Sequence, residues 1–368
     1  MKLRSISVRR AALCLGAFFF LFLLLRNASV AMDGVRQGLS LCAQTLLPSL
    51  FPFLVVSELL MAMGAGQFLE RFFARPVAFL FGVSPNAAAP ILLGALCGQP
   101  VASSTATAAY DRGEISRTEL ERISLFANNP SSGFLVGAVG EALFGDSAIG
   151  IALFLITLIS ATLVGIFLRI FGGSLSSEKE KKPPNGAQYG LGAAAFTQSI
   201  RRALSTFLQI AAFLLFFACI SRCLTAFCEA IRLPSTVQIA LLGLTELTTG
   251  ICAAATTLSA DIAFRFCAFF SGFAGLSVCL QIFSITEGRG VRLTPYIAAK
   301  LAQGGIALLL AEGYLFFFKP TFGNAESVLA DASPSPSPIL LLPCALLILA
   351  VALSRKQHPQ ASSVPPAR

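Results

Sequence analysis

Residues 241–257 read LLGLTELTTGICAAATT, a segment of leucine, alanine and glycine that nevertheless carries a carboxylate, Glu246, among threonines. An earlier segment has the same plan. Residues 92–108, LLGALCGQPVASSTATA, also open with Leu-Leu-Gly, pass through a polar break and end in Ala/Ser/Thr. Each is followed by a second interrupted apolar stretch, FANNPSSGFLVGAVG at 126–140 and FFSGFAGLSVCLQIF at 269–283. Interrupted apolar segments at matching positions in two halves of a chain are the mark of a transporter-type fold with its site near the bilayer midplane.

Composition supports a bilayer setting. The 368-residue chain is 55% hydrophobic and 12% charged, with a mean hydropathy of +0.78. Soluble domains carry about a quarter charged residues, and several stretches here approach the roughly 20 apolar residues that span a bilayer. The net charge of +9 does not point to nucleic acid, because the basic residues sit in loops beside apolar segments; such loops set membrane orientation instead. The ten cysteines form no metal pattern, and the only histidine, His358, lies in the tail. They read as small buried hydrophobes, and neither metal nor cofactor is expected.

Loop charge fixes the topology. Residues 1–10 hold Lys2, Arg4, Arg9 and Arg10 and are expected inside, ahead of an apolar run read as a retained signal-anchor helix, the alternative being a signal peptide cleaved near Ser29 and Ala31. Residues 169–202 include the polar linker SSEKEKKPPNG and are also inside. Residues 319–338, with one lysine, two acids and a Ser-Pro run, are outside, and the tail RKQHPQASSVPPAR is inside. Each half must then cross an odd number of times, and the halves enter from opposite faces. The expected fold is an all-α polytopic membrane protein of two inverted repeats with re-entrant or broken helices and about eight full crossings. DRGEISRTELER (111–122) and EGRGVRL (287–293) fall inside, and DIAFR (261–265) outside.

On a helix Gly243, Glu246 and Gly250 share one face, whose glycines let another backbone approach closely, and Gly250 can also interrupt the helix. A carboxylate at membrane depth must face protein or water, since exposure to hydrocarbon costs on the order of several kcal/mol. Glu246, Thr248, Thr249 and Gly250 are therefore candidate solute- or ion-binding residues; the same pattern also fits a structural carboxylate held between helices. In ANNPSSG (127–133), Pro130 removes a backbone donor and turns Asn129 away from helix. Asn128, Asn129, Ser131 and Ser132 then place amides and hydroxyls at a break, where a half-helix N-terminus suits a carboxylate; the alternative is a plain turn. Gln99, Ser277 and Gln281 complete the candidate set, as cavity groups or as glue between helices. LLPSLFPFLVVSELL (46–60) has two prolines four apart and reads as a kinked span, with Glu58 structural or interfacial. Lys300 is expected to snorkel, and Glu312 has no evident role. Walker A is absent, so transport would run on gradients or on a partner.

In combination and in order, LLPSLFPFLVVSELL, LLGALCGQPVA, AAYDRGEISRTELERISLFANNPSSGFLVGAVG, ELTTGI and GLSVCLQ resemble the YlbJ-type sporulation integral membrane protein family, over about residues 35–305. That family sits in the nucleoside-recognition, or Gate, domain group. The resemblance implies two inverted Gate repeats and movement of dipicolinate, a planar aromatic dicarboxylate, toward the forespore. It assigns binding to Asn128–Ser132, Glu246–Gly250 and Ser277–Gln281. Gln99 stands where the family pattern has an aromatic residue before Pro100. The division that follows is an N-terminal signal-anchor helix at 1–34, Gate-type repeats at 35–170 and 201–318 joined by a cytoplasmic linker at 171–200, an external loop at 319–338, and a C-terminal helix and cytoplasmic tail at 339–368.

The expected function is transport of a small organic anion in the cell membrane, at the outer forespore membrane of a sporulating bacterium, with a cation or proton as coupling partner. A nucleoside or other polar-solute transporter of the same fold, and a non-transporting scaffold of a sporulation complex, are the alternatives. No nucleophile–base set marks an enzyme.

Overall fold

The breaks seen in the sequence set the lengths of the helices. The computed structural model describes residues 14–15, 18, 21–22, 24–63, 65–172, 193–318 and 320. Helix α1 (Ala28–Leu41) passes through a π-helical turn, Cys42–Leu46, into α2 (Leu47–Ala62), which contains Pro52. Helix α3 (Ala65–Phe81) turns by 102° into the segment beginning at Pro85, which leads into α4 (Ala88–Cys97). After a break come α5 (Val101–Asp111) and α6 (Arg117–Ala127). A second break leads to a π-helical segment, Gly133–Glu141, and then to α7 (Ser147–Gly172). Helix α8 (Ala193–Ala230) opens the second half, followed by α9 (Ser235–Thr245), α10 (Leu247–Thr257), α11 (Ala260–Phe273), α12 (Gly275–Ile285) and α13 (Leu293–Phe318). No strand occurs among the described residues.

The order helix, break, helix, then helix, break, short helix, long helix thus occurs twice: α4 to α7 and α9 to α13. The members of the broken pairs α4–α5 and α9–α10 are ten or eleven residues long. At 1.5 Å per residue that is about half of a bilayer's hydrocarbon thickness. Ser147–Gly172, Phe196–Ala230, Ala260–Ile285 and Leu293–Phe318 are long and apolar enough to cross a membrane, and the bent pair Arg71–Phe81 with Pro85–Ala95 makes a fifth candidate. The chain is an all-helical, multi-pass membrane protein. Most of the expected first helix, the external loop save Pro320, and the C-terminal helix and tail lie outside the described residues.

Helix ends do not coincide with the boundaries at 34 and 171–200. Helix α1 runs straight through residue 34, because Gly34 and Gly38 seat it on α8; a Cβ on Gly34 would come within 2.8 Å of the Ala218 carbonyl. Small residues allow such backbone approach inside membranes. The linker is shorter than expected at both ends, since α7 continues to Gly172 and α8 is already helical at Ala193.

One apolar core draws on both halves. Leu135 of the π segment, Leu153 of α7, Ile251 of α10, Phe264 and Phe270 of α11, and Ala307 and Ala311 of α13 pack together, all 1% exposed or less. Gly272 of α11 and Gly304 of α13 touch backbone to backbone. At one end of the molecule, Glu121 of α6 pairs with Arg292 at 2.8 Å, and Arg117 donates to the Gly290 carbonyl. At another point Arg265 of α11 pairs with Glu312 of α13 at 2.6 Å, which supplies the partner that Glu312 lacked in the sequence reading. Glu58 lies 3.9 Å from Arg202 of α8.

Candidate functional site

Each half folds its two breaks against each other through a glycine with positive φ. Gly98 (φ 83°) ends α4, and a Cβ there would lie 2.6 Å from the Ser131 nitrogen. Gln99 N donates to the Asn129 carbonyl at 2.7 Å, which fixes the first break to the second. In the second half Ala274 (φ 71°) and Gly275 (φ 80°) turn the chain between α11 and α12, and a Cβ on Gly275 would lie 2.9 Å from the Leu247 nitrogen. Only glycine tolerates such approaches at positive φ without strain.

The break in ELTTG falls at Glu246, not at Gly250. Glu246 is extended (φ −146°, ψ 124°) and caps α10 with its own side chain. Its Oε1 accepts from Thr248 N at 3.0 Å, and its Oε2 accepts from Thr249 N at 2.6 Å and from Thr249 Oγ1 at 2.8 Å. A carboxylate at a helix N-terminus satisfies donors that would otherwise be orphaned and is favoured by the helix dipole. Gly250 lies inside α10, packed on Gly243. Thr245 instead returns its hydroxyl to the Leu241 carbonyl.

These elements converge on one cleft of ≈ 660 Å³, its open mouth included. Gln99, Pro130, Ser131 and Phe134 come from the first half, and Glu246, Leu247, Thr248, Ser277, Val278 and Gln281 from the second. Ile210, Phe213 and Leu214 of α8 add apolar wall. Gln99 Oε1 and Gln281 Nε2 are buried and have no hydrogen-bond partner among the described residues. Ser131 Oγ accepts from Phe134 N at 3.2 Å, so its own proton is free to be donated. Clefts of this kind, mostly apolar with a few convergent polar groups, are the usual form of a small-molecule site.

Sporulation integral membrane protein YlbJ of Bacillus subtilis (strain 168) is 26% identical to this chain over 343 residues, an alignment that covers 83% of each chain. No family model matches, and no solved structure matches. This likeness supports a YlbJ-type family for the chain.

Of the residues singled out in the sequence, Gln99, Ser131, Glu246, Thr248, Ser277 and Gln281 line the cleft. The others do not. Asn128 is fully buried and used up locally: its Oδ1 accepts from Ser103 N, and its Nδ2 donates to Ser103 Oγ and to the Ser124 carbonyl. Ser132 is the N-cap of the π segment. Thr249 is spent on Glu246 and Gly250 on Gly243. Asn129 stands behind the cleft wall, facing α13.

There it meets a group that sequence reasoning misplaced. Lys300 does not snorkel; it is 0% exposed. Its Nζ donates to the Asn128 carbonyl at 2.8 Å, to Gln303 Oε1 at 2.7 Å and, at 3.5 Å, to Asn129 Oδ1. A signal was available. Tyr296, Lys300, Gln303, Gly304, Ala307 and Ala311 form the buried stripe of α13, at helical spacing. The glycine and alanines of that stripe mark the inward face on which Lys300 sits.

Proposed function

We propose that this chain is a transporter that moves a small organic anion across a membrane during endospore formation, with dipicolinate the candidate its family resemblance implies and the outer forespore membrane its place. The observation that carries this reading is the cleft in which broken elements of both halves meet. The hydroxyls of Ser131, Thr248 and Ser277 and the Gln281 amide are donors suited to carboxylate oxygens, and Phe134, Phe213 and Val278 offer apolar wall to a planar ring. The twice-repeated element order supports two Gate-type repeats of opposite topology.

Glu246 would repel the solute, and it already occupies the α10 N-terminus. Its role in this reading is toward a cotransported cation or a proton. Glu246 then handles coupling, and the Ser131 wall of the first half with Gln281 of the second handles the anion.

A nucleoside is the second reading. The unpartnered Gln99 Oε1 and Gln281 Nε2 offer one acceptor and one donor, which suits the edge of a base. Equilibrium binding of labelled dipicolinate to the purified full-length chain, with unlabelled dipicolinate and uridine as competitors, decides between them. Displacement by dipicolinate alone is expected. Displacement by uridine would favour the second reading, and the absence of any specific binding would contradict solute transport and favour a scaffold.

A further inference from the structure

The Lys300 ammonium is surrounded by oxygen atoms whose identity the backbone fixes. Gln303 Nε2 donates to the Thr157 carbonyl at 3.4 Å and to Asn129 Oδ1 at 2.7 Å, so the Gln303 oxygen must face Nζ. Asn129 Nδ2 donates to the Phe126 carbonyl at 3.0 Å, so its oxygen also faces inward. Three acceptors therefore take the three protons of an ammonium. A neutral amine would leave a lone pair with no donor to meet it.

All three acceptors are uncharged. No carboxylate lies within 4.0 Å of Lys300 among the described residues. A buried cation without a counter-ion is costly in a medium of low dielectric. Hydrogen bonds from neutral dipoles stabilise it only in part. The charge sits directly behind the Asn128–Asn129 break, whose Asn129 carbonyl holds Gln99 and whose chain continues into Ser131, both in the cleft wall.

We propose that Lys300 is the fixed positive charge that makes the cleft select for a carboxylate solute, acting through the Asn128–Asn129 break without touching the solute. This rests on the reading of the cleft as a solute site and adds the residue that sets the sign of the solute's charge. Lys300 balances the anion, and Glu246, on the other half's break, is left to balance a cation. Lys300 and Glu246 sum to zero in the empty site, so an anion and cations of equal total charge keep it neutral when they load together.

The test uses two probes of one shape, pyridine-2,6-dicarboxylate and its uncharged diamide, with the purified full-length chain. Gln303→Glu puts a carboxylate 2.7 Å from Nζ at almost unchanged side-chain volume, and Lys300→Met removes the charge outright. In both variants the dicarboxylate should bind about tenfold or more weaker, while the diamide stays within about twofold. Equal loss of both probes would mean a purely structural lysine, and an unchanged preference for the dicarboxylate would also overturn the assignment. A solute-independent readout separates this from the reading it rests on. With Ser131→Cys in a cysteine-free background, thiol modification should titrate at higher pH once Gln303→Glu is added. No shift overturns the proposal. A shift in a protein that binds neither probe upholds the charge at Lys300 and rejects the solute assigned to the cleft.

Discussion

Arg289 grips Asp111 across 178 positions of sequence, Nε and Nη2 each donating to one carboxylate oxygen at 2.8 Å. With Glu121–Arg292 and Arg117 on the Gly290 carbonyl, it ties the end of α5 and the first turns of α6 to the loop before α13. The hydrogen bonds to Asp111 hold the Arg289 guanidinium above its ordinary pKa. Loop charge placed both segments on the inner face, and contact between them requires that they share a face.

Such half-exposed pairs contribute only about 0.2–1 kcal/mol each. The clamp therefore sets geometry more than stability. Arg289→Asp should lower the thermal midpoint in detergent modestly, and adding Asp111→Arg should restore most of the loss. A double-mutant cycle with no coupling would show that the two loops do not meet in solution.

Sidedness is open to direct labelling. Exposed Glu114 and Glu287 belong to the clamped loops, whereas exposed Ser147 and Ser259 lie at the starts of α7 and α11, away from it. Single cysteines at the first two positions should react with an impermeant thiol reagent only from the cytoplasmic face, and those at the last two only from the opposite face. Glu114 and Glu287 reacting from opposite faces would break the topology.

Much of the site was legible because its breaks are written in local chemistry. Pro100 and Pro130 cannot continue a helix, and Glu246 is a strong helix cap once Thr248 and Thr249 follow it. Gly250 reads two ways in the sequence, as a break or as a close packing contact, and its position against Gly243 decides for packing. Lys300 was misread. Two of its three partners lie more than 170 positions away, on the Asn128–Asn129 break, and a lysine in an apolar helix reads locally as one that reaches for the interface. The contact of Gly98 with Ser131 and of Gly275 with Leu247 is likewise tertiary and has no trace in either segment alone.

The two kinds of glycine give a sharp contrast. A Cβ on Gly250 would lie 2.1 Å from Gly243 Cα, and one on Gly243 would lie 2.1 Å from the Phe270 ring. Gly250→Ala should cost about 1–3 kcal/mol or prevent folding, read as loss of monodisperse protein on size exclusion. Gly137→Ala, with nothing within 4 Å, should behave as wild type. Equal tolerance of both would contradict the close packing of α9 on α10.

Glu246→Gln tests the cap and the coupling together. A glutamine presents one acceptor oxygen where the carboxylate presents two to Thr248 N, Thr249 N and Thr249 Oγ1. Loss of part of the cap should cost about 0.5–2 kcal/mol, and transport should lose its dependence on pH or on a cation while binding of the anion persists. A variant with unchanged coupling would leave Glu246 as a cap alone.

The most direct measurement is uptake of labelled dipicolinate into liposomes carrying the purified full-length chain, with Gln281→Ala measured beside it. The account predicts saturable uptake by the wild type, reduced by about tenfold when the unpartnered Gln281 donor is removed, the effect of losing one hydrogen bond to a charged group. Uptake no faster than in protein-free liposomes, or a Gln281→Ala variant indistinguishable from wild type, would contradict it.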